Sequence, residues 1–317
     1  MSWQPSADLE ALRARARLLQ AVRGFFDSRD VLEVETPQLC EAGVTDPAIE
    51  NLALTAGVSL SRPRYLQSSP EYAMKRLLAA GSGPIYQVSR VFRDGEAGRR
   101  HNPEFSLLEW YRPGFDLLQL MDEVAALVQA CIGEQPVQFT SYRALFQREL
   151  GLDPLRATVA ELEVLARNHL DPGTLAGDRD LWLDLLMSHL VEPRLAGRGL
   201  CFVYHYPASQ AALARVVEDA GELVAERFEL YVDGVEIANG YHELTAADEQ
   251  RQRFERDNAR RRAQGQPERP LDERLLAALA AGMPDCSGVA LGLDRLLMLA
   301  LGRDSISQVL AFDWSRC

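Results

Sequence analysis

Arginine, histidine, acid and aromatic side chains crowd into one stretch of this 317-residue chain. It runs Tyr86-Gln87-Val88-Ser89-Arg90-Val91-Phe92-Arg93, then through a Gly- and Arg-rich loop to His101-Asn102-Pro103-Glu104-Phe105-Ser106-Leu107-Leu108-Glu109-Trp110-Tyr111. If the second part is a strand, alternation puts Phe105, Leu107, Glu109 and Tyr111 on one face. An aromatic ring, a carboxylate and a phenol on one face suit a stacked base with a polar group fixed beside it. Arg93 sits at a strand end, where a guanidinium can fork onto phosphate. Taken alone, the same stretch reads equally well as a half-buried sheet with surface arginines.

Two further stretches carry chemistry. In Glu236-Ile237-Ala238-Asn239-Gly240-Tyr241-His242-Glu243 two carboxylates flank a glycine, which suits Mg²⁺ held between protein oxygens and substrate phosphates. One acid can equally hold a substrate ammonium, and in isolation the segment reads as a solvent-facing acidic loop. In Ser287-Gly288-Val289-Ala290-Leu291-Gly292-Leu293-Asp294-Arg295-Leu296, small residues let a ligand or backbone approach closely. Asp294 is expected to cap the following helix and Arg295 to emerge toward phosphate; a structural Asp-Arg pair is the plain alternative.

The elements that must position these groups follow from periodicity and punctuation. Apolar residues at helical spacing from Asp8 to Phe26 predict an amphipathic helix, and Val31 to Pro37 a strand closed by proline. Ser69-Pro70-Glu71 predicts a helix start with Ser69 as cap and Pro70 in the first turn, and Gly81 its stop. Strands are predicted at Pro84 to Arg93, Phe105 to Arg112, Leu200 to His205 and Phe228 to Asn239, the last with an Asp233-Gly234 turn. Helices are predicted at Leu117 to Ile132, Ala160 to Asn168 and Leu181 to Leu190. Arg251 to Arg262 reads as a charged helix with a solvated face. A strand at Val289 to Leu291 runs into a last helix from Asp294. Hairpin strands with helices between them predict an antiparallel α+β sheet flanked by helices.

Composition bounds the partners. The formal charge is −12, from 46 acids against 34 bases, and argues against a surface built to grip phosphate backbones. No apolar run approaches the ~20 residues of a membrane span. The N-terminal residues lack the pattern of a secretory signal. Five scattered cysteines (Cys40, Cys131, Cys201, Cys286, Cys317) fit a reducing cytoplasm better than a disulfide framework. There is no phosphate loop of the G-x-x-x-x-G-K-[ST] type, no G-x-G-x-x-G, no H-E-x-x-H and no G-x-S-x-G. The five histidines (His101, His169, His189, His205, His242) are not at metal-ligand spacing.

In their order the stretches resemble the class II aminoacyl-tRNA synthetases. The first helix, strand and Pro37 are similar to motif 1, Arg93 through Tyr111 to motif 2, and Gly292-Leu293-Asp294-Arg295 to motif 3. His101-Asn102-Pro103-Glu104-Phe105 and Ser69-Pro70-Glu71 resemble the lysyl type. The resemblance covers nearly the whole chain and implies one catalytic domain over 1–317, a helical insert at about 117–200 and a homodimer formed through motif 1. It implies that Arg93 holds the ATP α-phosphate and Arg295 the γ-phosphate, with Phe105 stacked on adenine and Asn102, Ile237 and Gly292 beside the nucleotide. Glu236 is implied as a Mg²⁺ ligand, with Glu243 also near the metal. Ser69, Glu71, Tyr111, Glu243 and Ala290 are implied to face the amino acid. One position departs: where the family has an acid two residues after the motif 2 arginine, this chain has Gly95, between Asp94 and Glu96.

With the first helix beginning near Asp8, no anticodon-binding barrel is expected upstream, and tRNA is not the expected acceptor. Short lysyl-type cores of this kind resemble the ligases that act on elongation factor P, and Cys286-Ser287-Gly288-Val289-Ala290-Leu291-Gly292 is similar to that group. Lysyl-tRNA synthetases usually have glycine where Ala290 stands. The implied reaction is ATP-dependent adenylation of (R)-β-lysine and transfer to the ε-amine of a lysine on elongation factor P. The alternatives are α-lysine activation for tRNA or another acceptor, and a regulatory paralogue without catalysis.

Overall fold

The structure is a computed structural model that describes residues 3–57 and 61–317. The chain begins with helix α1 (Leu9–Asp27), short strands β1 (Leu32–Glu33), β2 (Leu39–Cys40), β3 (Ala53–Leu54) and β4 (Arg64–Leu66), and helix α2 (Glu71–Ala79). Long strands β5 (Ile85–Phe92) and β6 (Glu104–Pro113) follow, then α3 (Leu117–Ile132). Next come β7 (Val137–Ser141), α4 (Tyr142–Leu150), α5 (Val159–His169), α6 (Arg179–Leu186), β8 (Leu200–Pro207), β9 (Val216–Asp219), β10 (Glu222–Val232) and β11 (Val235–His242). The chain closes with α7 (Ala247–Ala263), α8 (Glu273–Gly282), β12 (Cys286–Gly292) and α9 (Leu293–Ala300). These elements fall into two compact units, one of residues 1–133 and 244–317, the other of residues 134–243.

In the first unit β6 lies between β5 and β12, antiparallel to both, while β1 joins β5 in parallel. Helices α1, α3 and α9 pack together against this sheet. Asp8 caps α1 by accepting the Ala11 N–H at 2.8 Å, and the buried stripe of α1 sets Phe26 flat on Tyr86 at 4.4 Å. The strand expected from Val31 to Pro37 pairs only at Leu32–Glu33.

Asp294 does not cap α9. Strand β12 runs straight into the helix with Gly292 at the cap, so Asp294 falls inside the first turn. Its buried carboxylate accepts the Ser106 N–H at 2.7 Å and pairs with Arg15, tying α9 to β6 and α1. Helix α7 also differs from expectation. Phe254, Asn258 and Arg261 are buried on one face, and Arg261 donates to the Pro267 and Asp46 carbonyls and to Glu50. A run so rich in charge hides this face because Arg261 and Asn258 exchange water for fixed backbone partners.

In the second unit β10 lies between β8 and β11, antiparallel to both; β7 adds to β8 in parallel and β9 to β10. The expected α+β architecture therefore holds, with parallel pairing at β1–β5 and β7–β8. The β10–β11 hairpin turns at Asp233-Gly234, both with positive φ (50° and 70°), the geometry of a type I′ turn. A Cβ on Gly234 would also lie 2.7 Å from the Glu192 carbonyl oxygen. Tyr142, Phe146, Trp182 and Leu186, from α4 and α6, build a core against β8 and β10. Helix α6 ends at Leu186 and continues as one π-helical turn, Met187–Val191.

Candidate active site

In the first unit α2 begins beside β6 and brings five polar side chains together. Helix α2 starts one residue later than expected, with Pro70 in the cap position. Ser69 still accepts the Glu71 N–H at 3.1 Å, and its hydroxyl donates to Glu109 at 2.5 Å. Tyr111, two residues along β6 from Glu109 and therefore on its face, donates to the other carboxylate oxygen at 2.7 Å. Glu71 accepts from Lys75 at 2.6 Å, one helical turn on, and Lys75 is 1% exposed. Ala290 on β12 stands directly opposite Glu109 on β6. Opposed residues of an antiparallel pair share a face. The Ala290 methyl is thus a neighbour of the Glu109 and Tyr111 side chains. Ser69, Glu71, Tyr111 and Ala290 come together as expected, with Glu109 and Lys75 added.

Glu109, at the centre of this cluster, is 2% exposed. Burial and the nearby Glu71 charge push the Glu109 carboxyl up to about 8, against the pull of Ser69, Tyr111 and Lys75. Because the folded state holds the proton more tightly than the unfolded chain, Glu109 costs stability as it ionises. The contribution of Glu109 to the stability of the ligand-free protein is therefore expected to fall from pH 4.5 to about 8 and to level off above. Denaturant unfolding across that range checks this, and Glu109→Gln should remove that part of the slope.

A second cluster of the first unit is cationic. The Arg93 guanidinium lies 5.1 Å from the centre of the Phe105 ring, and its Nε is buried with no hydrogen-bond partner among the described residues. Arg93 also approaches Glu96 at 3.7 Å, so Glu96 rather than Asp94 reaches it across Gly95. The Asp94 carboxylate turns back to the Gly95 N–H at 2.9 Å. Arg295, on the first turn of α9, bonds His101 Nε2 at 2.6 Å. A guanidinium cannot accept, so the imidazole accepts as the neutral ring. Partial loss of hydration and the charge of Arg295 hold His101 below its usual value; Arg93 and Arg100 act in the same direction. Arginines converging on a neutral histidine beside an aromatic face form a place for a base and its phosphates.

Asn102 is buried, and its amide is already used: Nδ2 donates to the Glu104 carbonyl at 2.6 Å and Oδ1 accepts the Trp314 N–H at 2.9 Å. It shapes the turn into β6. Gly292, opposite Leu107, ends β12 and opens α9.

In the second unit Glu236 and Ile237 lie on β11, and Glu243 follows its end. Tyr231 pairs with Glu236 and Leu230 with Ala238, which leaves Ile237 as the extra residue of a bulge. Its side chain is buried, so the bulge offers a nucleotide only backbone. Glu243 does not share an ion with Glu236: seven residues of extended strand separate them by roughly 20 Å at ~3.3 Å per residue. The carboxylate beside Glu236 is Glu229, diagonally across the hairpin on the same face. Both line one cavity of about 380 Å³. Glu229 accepts from Tyr206 at 2.7 Å and also from Tyr231 and Arg227. Among the described residues no three or more His, Cys, Asp or Glu side chains are grouped to hold a metal. A pair of hard carboxylates at a cavity wall nevertheless fits Mg²⁺, which usually takes one or two carboxylates and completes its shell with phosphate and water. Glu229 was absent from the expected site; two acids flanking a D-G turn were the available signal.

The whole chain has close relatives. Residues 4–315 match the family model described as tRNA synthetases class II (D, K and N). A protein of Pasteurella multocida (strain Pm70) named elongation factor P–(R)-β-lysine ligase is 51% identical over 98% of this chain and 97% of its own length. Proteins with the same name from Salmonella paratyphi B and Salmonella schwarzengrund are each 51% identical over 99% of this chain and 98% of their own length. A buried acid opposite Ala290, arginines gathered at a neutral histidine and a match over nearly every residue lead to one conclusion. The chain belongs to the class II tRNA synthetase family of the D, K and N type.

Proposed function

We propose that this chain is an ATP-dependent ligase that adenylates (R)-β-lysine and transfers it to the ε-amine of a lysine on elongation factor P. The observation that carries the reading is the buried Glu109 opposite Ala290, with the part-buried Glu71 near it. A substrate with two ammonium groups needs such acids, and the relatives named for this reaction match over nearly their full length. Family membership implies ATP as the energy source. In the first step the substrate carboxylate attacks the α-phosphorus, an oxygen–phosphorus bond forms and pyrophosphate leaves. Arg93 steadies the α-phosphate and Arg295 the γ-phosphate, while Phe105 carries the adenine. Mg²⁺, held by Glu236 and Glu229 with phosphate oxygens, would supply further charge neutralisation. Glu243 is assigned to the amino acid. In the second step the acceptor amine attacks the carbonyl carbon, an amide forms and AMP leaves.

An acidic chain fits a protein acceptor better than tRNA. All five cysteines are free thiols, which supports a cytoplasmic setting. No helix among the described residues is long and apolar enough to cross a membrane. A homodimer is proposed by family resemblance. Incubation with ATP, Mg²⁺, (R)-β-lysine and elongation factor P, read by mass spectrometry of the acceptor, tests the whole reaction: one added β-lysyl group on a lysine supports it, and an unchanged acceptor contradicts it.

Ala290 is proposed to set isomer choice. One methyl in a pocket is worth about 1–3 kcal/mol of discrimination. Ala290→Gly is therefore expected to raise α-lysine activation relative to β-lysine by about tenfold or more. Pyrophosphate exchange with each isomer measures the ratio, and an unchanged ratio would remove Ala290 from substrate choice.

A further inference from the structure

The cavity of the second unit has a helical wall that the adenylation step does not use. Tyr142 of α4 and Asp184 of α6 face it, across from Tyr206, Arg227 and Glu229 on the sheet. Besides Glu229 and Glu236, the pair proposed for Mg²⁺, the carboxylates of Asp184 and Glu192 line it against one guanidinium, Arg227. The cavity therefore favours a cation.

Acids alone do not make a site; the Tyr142 hydroxyl supplies the second observation. Tyr142 is 1% exposed, and its hydroxyl has no hydrogen-bond partner among the described residues. Its ring is clamped between Phe146 at 4.4 Å and Tyr206 at 4.7 Å, so the hydroxyl is held toward the cavity and in electrostatic reach of Asp184 and Glu229. Natural proteins rarely leave such a group unpaired. Asp184 uses only Oδ1, which accepts from Gln210 at 2.7 Å. Its Oδ2 has capacity left. Leu185 and Met187 supply apolar wall.

A hydroxyl oxygen, a carboxylate oxygen and an apolar wall, in a net negative cavity, match a primary ammonium on an alkyl stem. We propose that this cavity binds such an alkylammonium, presented by the acceptor lysine. Helices α4 and α6, within the expected insert, thereby acquire a binding role. The assignment to a reaction partner rests on the amine-acceptor ligase reading; the binding itself does not.

Calorimetric titration of the full chain with n-butylammonium chloride tests the site directly. Tyr142→Phe and Asp184→Asn are each expected to weaken binding about fivefold or more, the effect of one hydrogen bond. Tyr142→Phe removes a hydroxyl that bonds nothing, so its thermal midpoint should be no lower than that of the unaltered protein; this separates lost binding from lost folding. The source is read from kinetics. A raised KM for elongation factor P in transfer, larger than any change in KM for β-lysine in exchange, assigns the ammonium to the acceptor. The reverse overturns the assignment to the acceptor. Failure of the unaltered protein to bind n-butylammonium, or equal binding by both variants, overturns the proposal. Absence of pyrophosphate exchange in the unaltered protein would instead overturn the ligase reading and leave the titration to stand alone.

Discussion

Arg93→Ala is expected to reduce adenylate formation by about 10²–10³-fold, the usual cost of deleting one donor aimed at developing charge. The side chain is held for that task. It lies against Phe105, and one of its nitrogens is buried without a partner, a condition a phosphate oxygen would relieve. Its ion pair with Glu96 is long, at 3.7 Å, with both side chains about a quarter or more exposed. Such a pair contributes at most about 1 kcal/mol to stability. Activity should therefore collapse while the unfolding midpoint barely moves. Arg93→Lys should recover only part of the rate, because a point charge lacks the planar fork. Pyrophosphate exchange and thermal unfolding on the same preparations check both halves. An Arg93→Ala protein with ordinary exchange would remove the α-phosphate role.

Glu71→Ala is expected to do two kinds of damage. It removes an acid proposed for a substrate ammonium, and it strands Lys75, which is 1% exposed and bonded to Glu71 at 2.6 Å. Breaking a buried pair by deleting one partner costs about 3–5 kcal/mol of stability. A second change, Lys75→Met, removes the stranded charge and should return much of that stability. It should not return activity, because the substrate contact is still missing; losses of about 10²-fold or more are expected for a desolvated charge partner. Chemical denaturation separates the folding effect, and KM for β-lysine in exchange reports the binding effect. If the double variant regains a normal KM, Glu71 is a structural acid and the pocket holds its substrate elsewhere.

Much of this was legible before any coordinates. Helix α3 runs from Leu117 to Ile132 as its apolar periodicity requires, and the Asp233-Gly234 turn forms where two positive-φ residues are tolerated. The face of β6 was legible for the same reason: strand alternation places Glu109 beside Tyr111. What escaped depends on contacts between distant segments. Helix α4 carries its own signals, Ser141 at the cap and Gly151 at the end, whereas β7 exists because β8 pairs with it. The three-stranded sheet of β2, β4 and β3 is made of strands too short to show a period. Lys75 reads as a polar helix position; only packing of α2 against α8 reveals its burial. Glu229 looks like one more acid in a strand until the hairpin register sets it diagonal to Glu236. Asp294 was misread because a cap and a first-turn residue differ by two positions, while only its bonds to Ser106 and Arg15 tell them apart.

ATP–pyrophosphate exchange by the purified chain, with (R)-β-lysine and α-lysine compared at equal concentration, tests the central claim most directly. Strong exchange with (R)-β-lysine and weaker exchange with α-lysine is the result predicted from the Glu71–Glu109 pocket and the methyl of Ala290. Preference for α-lysine would move the function to an α-lysine-activating enzyme, and no exchange with either would contradict the account of a ligase.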